Sequence, residues 1–303
     1  MRYLSSGGKS LTEPPFHRFF EFIAPSAKRF EVLQSLLPEM GLHYMVFPVA
    51  GNRHFFIFPP GMGLPFRDRR PSMVLAAHYD RAPGSPGAND NSAAVFLLLR
   101  AAKRCSVRGR APWMIILTDK EELREGQGLR EQGAYSLGES LRRSGIKRAR
   151  LFIFDACGAG DTLIISTGTD RLLQNETGPG AVHIRFLIQD LRNRALQSAR
   201  NIGLNRVLLL PTPFSDDAGF LRSGIAAQTI TALPRKEASA FAALIRARPE
   251  LAGALISREQ AEGNTELFPA TWRRLNSPGD THYKLSPEYF DMISRFAGDL
   301  LRG

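Results

Sequence analysis

The sequence predicts an α/β fold: one domain built on a mixed, mostly parallel β-sheet flanked by helices on both faces. Three observations lead there. Short apolar runs bounded by turn residues recur along the chain, longer segments of helical periodicity separate them, and acidic residues stand where the apolar runs end. Alternation of this kind favours parallel strands joined by helical crossovers, and in such sheets ligands bind beyond the carboxyl ends of the strands.

Taken in order, residues 15 to 37 are expected to form an amphipathic helix, and HYMVFPVAGNRHFFIFPP a hairpin turning at Gly51 and Asn52. Residues 1–60 are thus an N-terminal helix and hairpin integral to a single domain spanning 1–303. Strands are expected at MVLAAHYD (73 to 80), WMIILTD (113 to 119), RLFIFDA (150 to 156), RVLLLP (206 to 211) and AAQTIT (226 to 231). Helices are expected in NSAAVFLLLRAAKRC and HIRFLIQDLRNRALQSARNIG, whose apolar positions repeat with helical spacing. Residues 236 to 271 are weakly marked, helical at first and then an excursion over the sheet. The chain closes on LSPEYFDMISRFAGDLLRG, a helix with Ser286 as its expected cap and Pro287 in its first turn.

Composition bounds the function classes. With 303 residues, 43% apolar and 23% charged, the chain has ordinary globular proportions and length enough for a substantial core. The opening MRYLSSGGKSLTEPPFHRFF lacks a signal-peptide apolar segment, and no later run reaches membrane-spanning length, so a cytoplasmic protein with no membrane partner is expected. Cys105 and Cys157 are expected to be free thiols. The net charge of +11, from 40 basic and 29 acidic residues, is concentrated in runs such as KRCSVRGR and LRRSGIKRAR. Neither aromatic interleaving nor a zinc-finger pattern accompanies those runs, so solvated helix faces account for them and nucleic acid is not an expected partner.

The chemistry is concentrated at the strand ends. His78 and Asp80 end one apolar run, Asp119 to Glu122 the next and Asp155 a third, while Asp216 and Asp217 follow a fourth. His78, Asp90, Glu122 and Asp155 offer imidazole and carboxylate donors from separate loops at one edge of the sheet, the donor types that divalent zinc accepts. Asp80, two residues from His78, is placed to orient its imidazole. Adjacent Glu121 and Glu122 repel unless a cation or proton is shared, so one can bind metal while the other takes a proton from water. An isolated HYD or EE is usually a solvated turn; the weight rests on the combination. His17, His43, His54 and His183 lack neighbouring ligands and read as surface or packing residues, and Cys157 as a small buried one.

In order, HYD, GANDNSAAV, DKEELREGQGL, FDA and PFSDDAGFLRSGIAAQTI resemble the zinc aminopeptidase family that contains bacterial leucyl aminopeptidases and glutaminyl cyclases. The resemblance runs from about residue 73 to the closing helix. It implies that His78 and Asp155 hold one zinc, that Asp90 bridges two, that Glu122 belongs to the second, and that Glu121 is the general base for the attacking water. Asp80 would support His78, and Asn89 and Asn91 would fix the loop around the bridging carboxylate. The reaction implied is removal of an N-terminal residue from a peptide, or attack on a small amino-acid-derived substrate, with one or two zinc ions.

Two positions depart from the family pattern. Where a late histidine usually completes the second zinc site, NSPGDT places Asn276, whose neutral amide is a poor zinc donor; His282, just after Thr281, stands as a substitute. Where the family often reads Ser-Asp-His, SDDAGF places Asp217, which together with Asp216 would add negative charge for a substrate amine or basic side chain, or would simply be a solvated loop residue. A catalytically impaired member acting as a binding protein is therefore the alternative. A glutaminyl cyclase-like acyltransferase ranks below it, because that activity uses the zinc site weakened at Asn276.

Overall fold

The computed structural model describes residues 15–62, 71–106, 112–144, 150–174, 176–254 and 265–302. Among them, eight strands form one sheet: β1 (His43–Val49), β2 (Asn52–Phe58), β3 (Met73–His78), β4 (Trp113–Thr118), β5 (Arg150–Phe154), β6 (Thr162–Ser166), β7 (Val207–Leu210) and β8 (Ala227–Leu233). Their order is β1-β2-β4-β3-β5-β8-β6-β7. The pairs β3·β4, β3·β5, β5·β8 and β6·β7 are parallel, while β1·β2, β2·β4 and β6·β8 are antiparallel. The expected mixed, mostly parallel sheet is what the chain forms.

The helices are α1 (Phe19–Ile23), α2 (Arg29–Glu39), α3 (Ala94–Ser106), α4 (Gly133–Arg143), α5 (Gly168–Leu172), α6 (Pro179–Asn201), α7 (Asp216–Arg222), α8 (Arg235–Ala247), α9 (Leu251–Ala254), α10 (Ala270–Arg273) and α11 (Phe290–Arg302). Side chains of the central strands alternate between two cores, as the period-two geometry of a strand requires. Met73, Leu75 and Ala77 of β3, with Trp113, Ile115 and Leu117 of β4, pack under α2, α3, α6 and α11. Val74, Ala76, Met114 and Ile116 face the opposite way, onto Leu137 and Leu141 of α4 and Phe220 of α7. Strands covered on both faces read as unbroken apolar runs, which is why they stood out in the sequence.

Three local expectations are corrected. The helix expected over 15 to 37 is two helices, α1 and α2, after a short 3-10 turn at Phe16–Arg18. Pro25 breaks it, forcing Ala24 into an extended conformation (φ −57°, ψ 145°). Ser286 does not cap the closing helix; its hydroxyl accepts the Gly160 N–H, and a 3-10 turn at Pro287–Tyr289 leads into α11. Strand β6 was not anticipated, because five residues directly after a glycine-rich turn carry too short an apolar signal.

Both cysteines are buried and free. Among the described residues no helix is long and apolar enough to cross a membrane. The basic runs noted above extend through 107–111 and 145–149, which lie outside the described residues, as do residues 1–14.

Candidate metal centre

The chain places β3 between β4 and β5, so consecutive parallel strands leave β3 in opposite directions across the sheet. Loops leaving strands at such a reversal diverge and open a crevice. Three neighbouring strand ends deliver the chemistry there: His78 ends β3, Asp119 to Glu122 follow β4, and Asp155 follows β5.

The donor atoms of His78, Asp90 and Asp155 all lie within 4.8 Å of one another, and so do those of His78, Glu121 and Glu122. His78 is shared by both groups and fully buried. Its Nε2 lies 3.0 Å from Asp90 Oδ1 and 3.8 Å from Asp155 Oδ1, while Nδ1 lies 3.4 Å from Asp80 Oδ1. Asp80 is tied in turn: its two oxygens accept the N–H groups of Glu121 and Glu122, each at 3.1 Å. One carboxylate thus links the imidazole of β3 to the glutamate pair after β4.

The loop bearing Asp90 is held from several directions. Asp280 accepts the backbone N–H groups of Asn89 and Asp90, both at 2.9 Å. Asn89 accepts the Gly158 N–H at 2.7 Å, and Asn91 bonds to both Phe154 and Ala156, so the loop is laced to the segment that carries Asp155. Gln132, at the start of α4, donates to Glu121 Oε1 at 3.1 Å.

Electrostatics make this cluster costly without a cation. Six carboxyl groups, Asp80, Asp90, Glu121, Glu122, Asp155 and Asp216, surround one imidazole. Burial, reinforced by the charges of Glu122, Asp216 and Asp155, pushes the Glu121 carboxyl well above its usual range. Burial and the nearby Asp90 carboxylate push Glu122 up to about 9, and burial pushes Asp216 up to about 7. Asp80 is held below its usual value: burial opposes ionisation, but the His78 ring and the two glutamate N–H groups outweigh it. For His78 burial favours the neutral ring, yet Asp155, Asp80 and Asp90 outweigh it and raise its proton affinity.

The donors fit a divalent cation on a second count. Glu122 Oε1, Asp155 Oδ1 and Asp216 Oδ1 are buried without a hydrogen-bond partner, and the His78 ring nitrogens face only carboxylate oxygens, at 3.0 to 3.8 Å. Buried polar atoms are almost always satisfied, so bare carboxylate oxygens gathered around one imidazole fit the donor set of a divalent cation.

Of the remaining sequence candidates, Asn276 lines the cleft beside these donors and His282 lies in a different pocket. A cleft of about 560 Å³ is lined by Asp90, Glu121, Asp155, Phe214, Phe268, Trp272 and Asn276. Asn276 is exposed there in the left-handed region (φ 58°), which asparagine tolerates better than most residues. His282 opens the 3-10 turn His282–Lys284, its ring 5.1 Å from that of Phe20 and 3.9 Å from that of Tyr283, in a separate pocket with Arg81 and Pro86. Asp280, anchored on Asn89 and Asp90, fixes the chain so that His282 leaves on that other side.

Asp216 and Asp217, expected either to bind substrate or to be solvated, are not among the residues that line the cleft. Both are buried at the start of α7. Asp216 accepts a hydrogen bond from Thr118, and Asp217 accepts the Ser215 N–H at 3.2 Å. Gln132 and Asp280 were missed as members of the site. Asp280 lay inside the late motif, while Gln132 carried no local signal.

Residues 63–296 match the model of peptidase family M28. No curated protein sequence matches the chain. Among solved structures, the zinc aminopeptidase BSAP of Bacillus subtilis is 18% identical with a TM-score of 0.53, over 82% of this chain and 49% of that one, so this chain spans about half its length. A leucine aminopeptidase precursor of Bacteroides thetaiotaomicron is 14% identical with a TM-score of 0.63, over 95% and 94%. A glutaminyl cyclase of Porphyromonas gingivalis is 15% identical with a TM-score of 0.62, over 94% of each chain. At such identities these structures speak for the fold. The family match runs through both donor groups and the late loop, and the chain belongs to peptidase family M28.

Proposed function

We propose that the protein is a zinc-dependent aminopeptidase that removes N-terminal residues from peptides. One observation carries the reading: two donor groups share the buried His78 at adjacent strand ends, Asp90 and Asp155 completing one and Glu121 and Glu122 the other. His78, Asp90 and Asp155 would hold one ion; Glu122, together with Asp90, would hold a second. When bound, zinc supplies a Lewis acid that polarises a peptide carbonyl and acidifies water.

The chain's own groups do the rest. Gln132 holds one oxygen of Glu121, and burial among carboxylates raises that group's proton affinity, so Glu121 takes the proton released by the attacking water and returns it to the leaving amine. Asp80 keeps the imidazole of His78 in place. The acidic floor of the cleft attracts a free α-ammonium group, and Phe214, Phe268 and Trp272 offer an apolar wall for the first side chain.

Purified protein is expected to contain zinc by elemental analysis and to release N-terminal residues from short peptides. Glu121→Gln should lower kcat by about 10²- to 10⁴-fold with metal content retained. Unchanged turnover in that variant overturns the mechanism.

Asn276 favours one second reading, in which the fold is kept as a binding protein without turnover. A neutral amide donates to zinc far less well than imidazole. This reading expects substoichiometric metal and no hydrolysis across a broad peptide panel, with metal and turnover both gained in Asn276→His. Full metal loading and hydrolysis by the unaltered chain eliminate it.

A further inference from the structure

Arg29 opens helix α2, far from the metal centre in sequence and outside the residues that match the family, yet it is 6% exposed and lies against the loop of the first donors. Its guanidinium uses every N–H it has. Nε donates to the Phe22 carbonyl at 3.3 Å. Nη1 donates to the carbonyls of Tyr79 and Asp80, at 3.1 and 2.8 Å. Nη2 donates to the carbonyls of Pro86 and Gly87, at 2.8 and 3.3 Å, and to Ser92 Oγ at 2.8 Å. The Phe22 ring covers one face, 4.6 Å from the guanidinium carbon.

Five of those six acceptors lie between residues 79 and 92. Tyr79 follows His78 directly, Asp80 lies beside the imidazole, and Gly87 and Ser92 bracket Asp90. A planar fork with five donors in fixed directions sets the spacing of its acceptors in a way a single ammonium cannot. The loop is also shaped to admit it: Gly87 has φ +60°, and a Cβ there would come within 2.9 Å of Arg29 Nη2 and 2.6 Å of the Asp90 carbonyl oxygen.

We infer that Arg29 is a positioning residue for the metal centre, a clamp from the N-terminal helix that sets the distance between His78 at the tip of β3 and Asp90 in the following loop. This rests on the metal-centre reading given above. It makes the segment ahead of the family-matched region part of the metal site, although that segment contributes no donor atom.

The test is cobalt(II) and zinc(II) binding by the full-length chain, apo-prepared, as wild type and as Arg29→Lys, Arg29→Met and Ser92→Ala. Affinity is read by competition with a chelator, geometry by the visible absorption of the cobalt form, and folding by circular dichroism and thermal melting of the metal-free protein. Loss of outer partners that orient metal ligands typically costs 10- to 100-fold in affinity. Both Arg29 variants should fall in that range with a changed cobalt spectrum; Arg29→Lys should not rescue, and Ser92→Ala should show a smaller loss in the same direction.

If Arg29 serves folding alone, the metal-free melting temperature drops in the variants while affinity and cobalt spectrum match wild type, and the inference is overturned. Should Arg29→Met fail to fold, Arg29→Lys and Ser92→Ala still decide between these outcomes. If wild type binds neither ion, the metal reading itself fails and takes this inference with it.

Discussion

The loop from His78 to Asn91 and the loop from Asn276 to His282 meet at one site, but they are held in opposite ways. The first is fastened along its length: Arg29 behind it, Asp280 beneath Asn89 and Asp90, and Asn89 and Asn91 laced to the segment after β5. The second contributes its anchor, Asp280, to that fastening, while its would-be donor position, Asn276, is an exposed neutral amide. Donors held this firmly need little reorganisation to accept an ion, whereas the late position offers the weaker ligand. The contrast is between a loop whose candidate donors are fastened on several sides and a loop that supplies an anchor, Asp280, and an exposed neutral amide, Asn276.

The sharpest way to break the contrast is to cut the one tie the two loops share. Asp280→Asn leaves the Asn89 and Asp90 N–H groups facing an amide that can accept through only one oxygen. Hydrogen bonds to a charged acceptor contribute roughly 1.5–3 kcal/mol each, so a loss of about 3 kcal/mol or more in urea denaturation is expected, with weaker zinc binding. Wild-type stability and affinity in this variant would show that the first loop does not depend on the second.

Acid should loosen the fastened side of the site next. His54 in β2 is buried, and its Nδ1 accepts the Asp119 N–H at 3.2 Å, just ahead of the glutamate pair. Burial lowers its pKa to about 4. In the unfolded chain it titrates near 6.5, so between those values the unfolded state binds the extra proton and folding weakens as pH falls. The effect is absent above about pH 7 and reaches about 2–3 kcal/mol by pH 4. The difference in stability between wild type and His54→Gln, followed from pH 7 to 4.5, reads it directly; a difference independent of pH would refute the assignment.

The smallest effect is expected at His282. Its ring packs on Phe20 and Tyr283 in the separate pocket, so His282→Ala should change stability by about 0.5 kcal/mol or less and leave metal content unaltered. Lost metal in that variant would return His282 to the metal centre and erase the contrast.

The sequence carried the fastened side well, for a physical reason. A histidine or carboxylate at the end of an apolar run has no packing role, so His78, Glu121, Glu122 and Asp155 stood out as chemistry, with Asp90 in the loop that follows His78. Arg29, Gln132 and Asp280 did not, because each acts through a contact made only when distant segments fold together. Arg29 in particular looks like any charged residue at the start of a surface helix. The same limit explains Asp216 and Asp217: their charges were visible, but not that Thr118 and the α7 backbone turn them inward. Among the elements, doubly covered strands gave strong signals, whereas β6 and the break at Pro25 depended on local chain direction.

The position of β3 between two parallel neighbours has one more consequence. Neighbouring strands in a sheet stand about 4.8 Å apart, so residues leaving the tips of β3, β4 and β5 inherit a spacing set by the backbone ladder rather than by their own side chains. The sheet is in effect a ruler. Exchanging a donor at one tip changes which ion is preferred, or whether one is held at all, without changing the scale on which the others are laid out. A chain of this design can therefore gain or shed catalytic competence one residue at a time while its architecture stays the same.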